Sequence, residues 1–236
     1  MLDKLSLLTK EDFEEGKILL LNKEIGWTSF NVVKKIKNLI KERFSIKKIK
    51  VGHAGTLDPL ASGLLIICTG KFTKMISTIQ NQSKTYTGEI TLGESTPSFD
   101  LETKINKTYN TSNITKEDVE RISNSFIGEI NQKPPLFSAI KIKGERLYKK
   151  ARRGEKIDIK SRKVTVFSFD VKKIDIPKFT FQITCSKGTY IRSIANDFGE
   201  KLKNGGHLSS LCRTEIGKYN LTDSITITEF EKKLNV

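Results

Sequence analysis

Hydrophobic and polar residues alternate over residues 84–93 and 178–185, a pattern typical of β-strands with one buried face. Two shorter segments, 18–22 and 64–68, are almost entirely apolar, which indicates a buried strand in the first and a strand in the second. The buried faces of the alternating strands are predicted to consist of Tyr86, Gly88, Ile90 and Leu92 in the first, and of Phe179, Phe181, Ile183 and Cys185 in the second.

Apolar residues at helical spacing predict helices between these strands. Four helices are expected, over roughly 30–43, after a capping box that begins at Thr115, and over roughly 190–204 and 227–235. Ser29 is expected to cap the first of them. Because strands and helices are mixed without a regular βαβ alternation, the predicted class is α+β, with a central mixed or mostly antiparallel sheet flanked by helices and loops.

The chain shows no internal repeat and no low-complexity linker, so a single domain over 1–236 is expected. The polar stretch 94–114 is the best candidate for a mobile loop, and 132–156 is predicted to be a basic insertion. Trp27 and Phe30 are expected to pack in the core.

The charge balance favours a polyanionic partner. Forty-two lysine and arginine residues face 27 acidic ones, which gives a formal net charge of +15. Only eight of the bases are arginine, so part of this excess is consistent with an AT-rich coding sequence. The remaining positive field raises the encounter rate with nucleic acid, and RNA or DNA is the expected partner.

Other classes of protein are disfavoured. No run of 18 apolar residues predicts a transmembrane helix, and the N-terminus is too charged for a signal peptide, so a cytoplasmic location is expected. The three cysteines are far apart and odd in number, which predicts buried thiols. With two isolated histidines, of which His207 is expected in a loop, a structural zinc site has almost no support.

The most informative segment is 52–63, which holds one carboxylate among three glycines, a histidine and a proline. Pro59 holds Asp58 in an extended conformation, while Gly55 and Gly63 allow a tight loop and close approach of a ligand. The residues alone favour a turn aspartate that hydrogen-bonds its own loop, which is a common use of this residue.

The wording of this loop resembles a known signature. Residues 52–65, Gly-His-Ala-Gly-Thr-Leu-Asp-Pro-Leu-Ala-Ser-Gly-Leu-Leu, closely resemble that of the TruB family, the synthases that make pseudouridine 55 in the T-arm of tRNA. Further segments resemble family motifs in the same order, at 23–29, at 132–154, at 188–193 and at 211–217. Together they cover about residues 18 to 220.

The resemblance implies a pseudouridine synthase fold and three catalytic residues. Asp58 matches the aspartate that forms a covalent link to the target nucleotide. Tyr86 matches a tyrosine that stacks on the uracil and is a candidate for proton transfer. Arg192 matches an arginine that pairs with the catalytic carboxylate.

The resemblance also implies substrate-binding residues. His53 matches a histidine that occupies the space left by the flipped nucleotide, and Tyr190 and Leu211 match residues that line the uracil pocket. Lys141, Arg152 and Arg153 belong to the basic insertion, which is expected to contact phosphates. Many relatives carry a C-terminal RNA-binding PUA domain, and none is expected here, because only some 16 residues follow Asn220.

The chemistry of the implied reaction fits these residue types. Isomerisation breaks a C–N glycosidic bond and joins the sugar to C5 of the same base, so it needs no redox cofactor and no metal. A carboxylate suits the nucleophilic or stabilising role, and a neighbouring guanidinium favours its ionised form. Taken singly, Tyr86 favours core packing and His53 favours a turn, and Arg192 is also consistent with a surface position.

Three functions are consistent with these features: an enzyme that isomerises uridine in tRNA, an RNA-binding and folding factor, and a generic basic binder. The presence of Asp58, Tyr86 and Arg192 favours the enzyme, because a pure binder does not need an aspartate–arginine pair. The third function explains the charge but not the loop. The expected partner is therefore tRNA, whose target uridine must be flipped out of the folded arm, and the protein is expected to be a monomer.

Overall fold

The computed structural model describes residues 8–138, 140–142, 144–155 and 157–235. The chain divides into two compact units, one formed by Met1–Tyr86 with Leu211–Val236 and the other by Thr87–Ser210. The expectation of one catalytic domain stays a prediction.

The described residues contain fourteen short and long strands. They are β1 Ile18–Lys23, β2 Val51–His53, β3 Ala61–Thr69, β4 Lys84–Leu92, β5 Glu94–Ser95, β6 Lys107–Thr108, β7 Gly128–Gln132, β8 Lys141–Ile142, β9 Glu145–Arg146, β10 Arg162–Asp175, β11 Lys178–Cys185, β12 Gly206–Ile216, β13 Tyr219–Asn220 and β14 Ile225–Thr226.

Seven α-helices accompany them in the same part of the chain. They are α1 Lys10–Glu15, α2 Ser29–Phe44, α3 Ile76–Gln80, α4 Lys116–Asn124, α5 Leu147–Arg152, α6 Ile191–Lys201 and α7 Ile227–Asn235, with 3-10 turns at Gly70–Met75 and Leu221–Asp223. Among the described residues, none of these helices is long and apolar enough to span a bilayer.

In the first unit the sheet is built around β3. Strand β1 pairs with it antiparallel, from Ile18 opposite Cys68 to Lys23 opposite Gly63. β2 pairs antiparallel with residues 67–69 of β3, and residues 211–213 of β12 pair parallel with residues 61–63 of β3. β3 is almost completely buried, which explains its unbroken apolar sequence.

In the second unit the strands follow the order β12, β4, β11, β10, β7. The pairs β11–β10 and β10–β7 are antiparallel. The core of this unit is aromatic, with the rings of Phe179 and Phe198 4.8 Å apart. The predicted α+β class with a mixed, mostly antiparallel sheet is confirmed.

The main sequence-predicted elements are present. In β11 the predicted face is buried, with Ile183 fully buried. In β4 the prediction is only partly correct, because Tyr86, Ile90 and Leu92 are buried but Gly88 is half-buried, and Thr85 and Thr91 of the opposite face are buried too. The capping box before α4 is formed, because the Thr115 and Asp118 side chains each accept from the other residue's backbone amide. These features depend on residues close in sequence, so local spacing was sufficient to predict them.

Several expectations were wrong. Thr28, not Ser29, caps α2, and Phe30 is 72% exposed instead of packed in the core. Trp27 is only half-buried. His207 lies in β12 and is buried, so it is not a loop residue.

The polar stretch 94–114 is not a featureless loop. Strands β5 and β6 pair within it, and Ser98 and Asp100 are buried. Polar side chains in this stretch make hydrogen bonds within it, for example from the Thr96 hydroxyl to the Asp100 carbonyl.

Candidate active site

Asp58 lies in the connection between β2 and β3, in the first unit. It is partly exposed, and its carbonyl accepts a hydrogen bond from the Ala61 amide at 3.1 Å, which closes a turn immediately before β3. Gly63 has a φ of +100°, and a Cβ there would collide with the Arg213 backbone. The glycine is therefore required where the loop joins the sheet.

Arg213, on β12, holds this loop through hydrogen bonds to backbone carbonyls. Its guanidinium is 1% exposed and donates to three backbone carbonyls, from Nε to Leu64 at 2.9 Å, from Nη2 to Gly55 at 3.0 Å and from Nη1 to Thr56 at 3.4 Å. The planar fork of arginine suits such a set of converging acceptors. Arg213 thus connects the loop before Asp58 to the strand that follows it.

The start of α2 fastens the other side of the loop. The Leu57 amide donates to the Ser29 hydroxyl at 2.9 Å, and that hydroxyl donates to the Leu57 carbonyl at 3.0 Å. The Gly26 amide donates to the Pro59 carbonyl at 2.8 Å. The residues on either side of Asp58 are therefore fixed by hydrogen bonds from the segment between β1 and α2.

The role of Arg213 can be tested by replacing it with lysine, which keeps the charge but has no planar fork of donors. We expect Arg213→Lys to lower the free energy of unfolding by about 2 kcal/mol, because an ammonium group cannot satisfy the three separate carbonyls that accept from the guanidinium. Urea unfolding measures this. Arg43→Lys is the matched control, since the exposed Arg43 also donates to a carbonyl, that of Leu234 at 2.9 Å. A change no larger than that of the control would contradict the role.

Lys23 places a positive charge near Asp58. It is fully buried at the end of β1, and its ammonium donates to the carbonyls of Trp27 at 2.8 Å and Glu24 at 3.0 Å. Burial lowers its pKa to about 8, against the opposing effect of the Asp58 carboxylate, which favours the charged form. Lys23 is therefore mostly protonated at pH 7 and favours ionised Asp58.

His53 ends β2 and pairs with Ile67 of β3. Burial, followed by the nearby Arg213 charge, lowers the pKa of its imidazole from 6.5. It is therefore uncharged at neutral pH. A neutral ring at the head of the Asp58 loop is compatible with the space-filling role that the resemblance implies, which stays a prediction.

Tyr86 and Leu211 also belong to the first unit. Tyr86 is on β4 and is 9% exposed. Leu211 lies opposite Ala61 in the parallel β12–β3 pair, and its carbonyl accepts from the Ser62 hydroxyl at 3.4 Å. This register places Leu211 beside the strand that begins three residues after Asp58.

Arg192 lies in the second unit, at the start of α6. It is 3% exposed, which rules out the surface position that the sequence left open. Nη1 donates to the Ser98 carbonyl at 3.2 Å, Nη2 donates to the Phe137 carbonyl at 3.1 Å, and Nε lies 3.5 Å from a carboxylate oxygen of Asp100. The guanidinium is thus held in one orientation by groups from two separate segments.

The turn that contains Asp100 is shaped for this contact. Asp100 is 5% exposed, and its other carboxylate oxygen accepts from the Glu102 amide at 2.9 Å. Phe99, between two partners of Arg192, has a φ of +65°, which is unusual for a bulky residue. Asp100 was not predicted as a site residue, because no sequence motif shows which carboxylate lies beside Arg192.

Tyr190 directly precedes α6. Its amide donates to the Gln132 side chain at 2.7 Å, and the Gln132 amide group donates back to the Tyr190 carbonyl at 3.0 Å. The Arg162 guanidinium lies 4.8 Å from the centre of the Tyr190 ring. Tyr190 is therefore firmly anchored through its backbone and covered on one face by a cation.

Two arginines of the basic insertion, Arg152 and Arg153, are paired with carboxylates. Arg152 donates to Glu102 at 3.0 Å, and Arg153 donates to both oxygens of Glu145 at 2.7 Å. Both arginines are exposed, so these pairs contribute little stability. The backbone of Lys141 is in β8, and its side chain lies outside the described part of the structure.

The predicted site residues are thus divided between the two units. The first contains Asp58, Tyr86, His53 and Leu211, and the second contains Arg192, Tyr190, Lys141, Arg152 and Arg153. Arg213 and Lys23 were not predicted as site residues either. Arg213 lies in the 211–217 motif and Lys23 in the 23–29 motif, but nothing in a single sequence shows that their side chains face the Asp58 loop.

Comparisons with known proteins agree with the loop signature. The family model described as TruB family pseudouridylate synthase (N terminal domain) matches residues 41–191. The tRNA pseudouridine synthase B of Flavobacterium johnsoniae is 51% identical over 96% of this chain and 100% of its own length. The same enzyme of Phocaeicola vulgatus is 46% identical over 95% of each chain.

Solved structures resemble the fold. One is a chain from the crystal structure of a Cbf5-Nop10-Gar1 complex, with a TM-score of 0.69 and 25% identity over 95% of this chain. The chain spans 60% of that protein's length.

Proposed function

The chain belongs to the TruB family of pseudouridylate synthases, and from this premise we propose that it converts uridine 55 in the T-arm of tRNA to pseudouridine. The single observation that carries the proposal is the Asp58 loop, whose signature sequence is held by buried hydrogen bonds from Arg213 and Ser29. The backbone on both sides of Asp58 is fixed while its side chain is partly exposed, which is the arrangement that a carboxylate acting on a bound substrate requires.

The reaction is an isomerisation. The bond from C1′ of the ribose to N1 of uracil breaks, and a bond from C1′ to C5 forms. C5 then loses its proton and N1 gains one, so atoms and electrons balance without an external reactant. We propose that ionised Asp58 forms the transient covalent link, either with the sugar or with the base.

Other residues have supporting roles in the proposal. Tyr86 offers a ring for stacking on uracil and a hydroxyl for proton transfer. Lys23, mostly protonated at pH 7, places a positive charge near the Asp58 carboxylate. That Arg192 pairs with the catalytic carboxylate stays a prediction, and its guanidinium lies 3.5 Å from a different carboxylate, that of Asp100.

RNA binding follows from the charge of the protein. The target uridine must leave its stacked position, at a cost of a few kcal/mol that pocket contacts offset. We propose that lysines and the arginines of the basic insertion bind phosphates, with Arg152 and Arg153 exchanging carboxylate partners for phosphate oxygens. That the protein acts as a monomer stays a prediction.

The proposal is tested with two short RNAs, a T-arm stem-loop and the same arm with cytidine in place of the target uridine. After incubation, each RNA is digested to nucleosides and pseudouridine is quantified. We expect one pseudouridine per T-arm and none in the cytidine arm. No product from the first RNA, or equal product from both, would overturn the assignment of the target.

A further inference from the structure

Phe30 is an exposed aromatic residue beside the catalytic loop. Its side chain is 72% exposed, although the same helix buries Val32, Ile36, Leu39 and Ile40. The residue before it, Ser29, makes the two hydrogen bonds to Leu57. Phe30 therefore directly follows the residue that is hydrogen-bonded to the backbone before Asp58.

Two further apolar side chains are exposed on the same segments. Ile25 is 64% exposed and Leu60 is 37% exposed, and their chain neighbours Gly26 and Pro59 are joined by a 2.8 Å hydrogen bond. Each of the three exposed residues is thus next in sequence to a residue that forms one of the hydrogen bonds between segments 26–29 and 57–59. Apolar side chains concentrated beside a functional loop indicate a contact surface.

The occupant is indicated by the charge of α2. Lys34, Lys37 and Lys41 follow Phe30 at intervals of four, seven and eleven residues, so they share one stripe of the helix. This stripe lies opposite the face that buries Val32, Ile36, Leu39 and Ile40. An aromatic ring followed by a row of cations is complementary to RNA, in which bases stack on rings and phosphates follow cations.

We propose that Phe30 is a stacking site for a nucleobase near the flipped uridine, and that Lys34, Lys37 and Lys41 bind the phosphates that follow. This inference rests on the proposed function, because it places the RNA strand relative to Asp58. It assigns α2 a role in RNA recognition that is separate from the basic insertion.

Single-turnover kinetics on T-arm RNA test the stacking site. They give the enzyme concentration for half-maximal rate, K1/2, and the maximal rate. We expect Phe30→Leu, which keeps apolar surface but removes the ring, to raise K1/2 about tenfold and leave the maximal rate within about twofold. Phe30→Tyr, which keeps the ring, should restore K1/2.

The lysine stripe is tested by the salt dependence of T-arm binding. Replacing Lys34, Lys37 and Lys41 together by glutamine should reduce the slope of log affinity against log salt by about 2 to 3. Lys35→Gln is the matched control on the same helix, because Lys35 already pairs with Glu231 at 2.7 Å, and it should change the slope by less than about 0.5.

The possible failures are distinguishable. If the wild type forms no pseudouridine, the proposed function fails. If the wild type is active and Phe30→Leu has the same K1/2, the stacking site is overturned. It is equally overturned if Phe30→Tyr is as impaired as Phe30→Leu, or if Phe30→Leu changes only the oligomeric state in light scattering, which would assign the surface to a protein contact.

Discussion

Replacing Asp100 by asparagine is expected to lower the free energy of unfolding by about 3 kcal/mol, because it leaves the buried Arg192 cation without its carboxylate. The side-chain oxygen of asparagine can still accept the hydrogen bond from the Glu102 amide. Its NH2 group would then face Nε of Arg192, donor against donor, where the carboxylate oxygen now lies 3.5 Å away. Urea unfolding measures the change.

On the proposed catalytic role of Arg192, the same substitution is expected to lower kcat about a hundredfold, because the guanidinium would be displaced. The affinity for T-arm RNA should change much less, which separates a positioning role from a binding role. Glu129→Gln is the matched control in the same unit, because Glu129 pairs with Lys163 at 2.8 Å on the surface. It should cost less than about 1 kcal/mol. Equal effects of the two substitutions would contradict the importance of the Asp100–Arg192 pair.

Secondary structure was predicted from the sequence where short-range spacing decides it. The strand around Ile183 and the capping box at Thr115 depend on residues within a few positions, and both are present. The cap of α2 was placed one residue late, because Thr28 and Ser29 are both good caps. Only the hydrogen bond from Ser29 to Leu57, 28 residues away, shows that its hydroxyl has another purpose.

The supporting parts of the site could not be predicted, because their partners are distant in sequence. Arg213 is 158 residues from Gly55, and Arg192 is 94 residues from Ser98. A single sequence carries no signal that joins such pairs. Phe30 was misassigned to the core for a related reason, since its hydrophobicity does not show which face of α2 meets the sheet.

Replacing Asp58 by asparagine is expected to lower the rate of pseudouridine formation more than about a thousandfold, as removal of a covalent nucleophile does in other enzymes. The amide has nearly the same shape, so the turn closed by the Ala61 amide should persist. The hydrogen bonds from Arg213 and Ser29 go to backbone and do not depend on the carboxylate. The loop should therefore keep its conformation, and T-arm affinity should stay within about threefold of the wild type.

The most direct measurement of the central claim compares wild type and Asp58→Asn on one tRNA transcript, with pseudouridine mapped at each position and RNA binding measured on the same preparations. The account predicts product at position 55 with the wild type, none with Asp58→Asn, and nearly equal binding by both proteins. Product from Asp58→Asn at the wild-type rate would contradict the assignment of Asp58 as the catalytic residue.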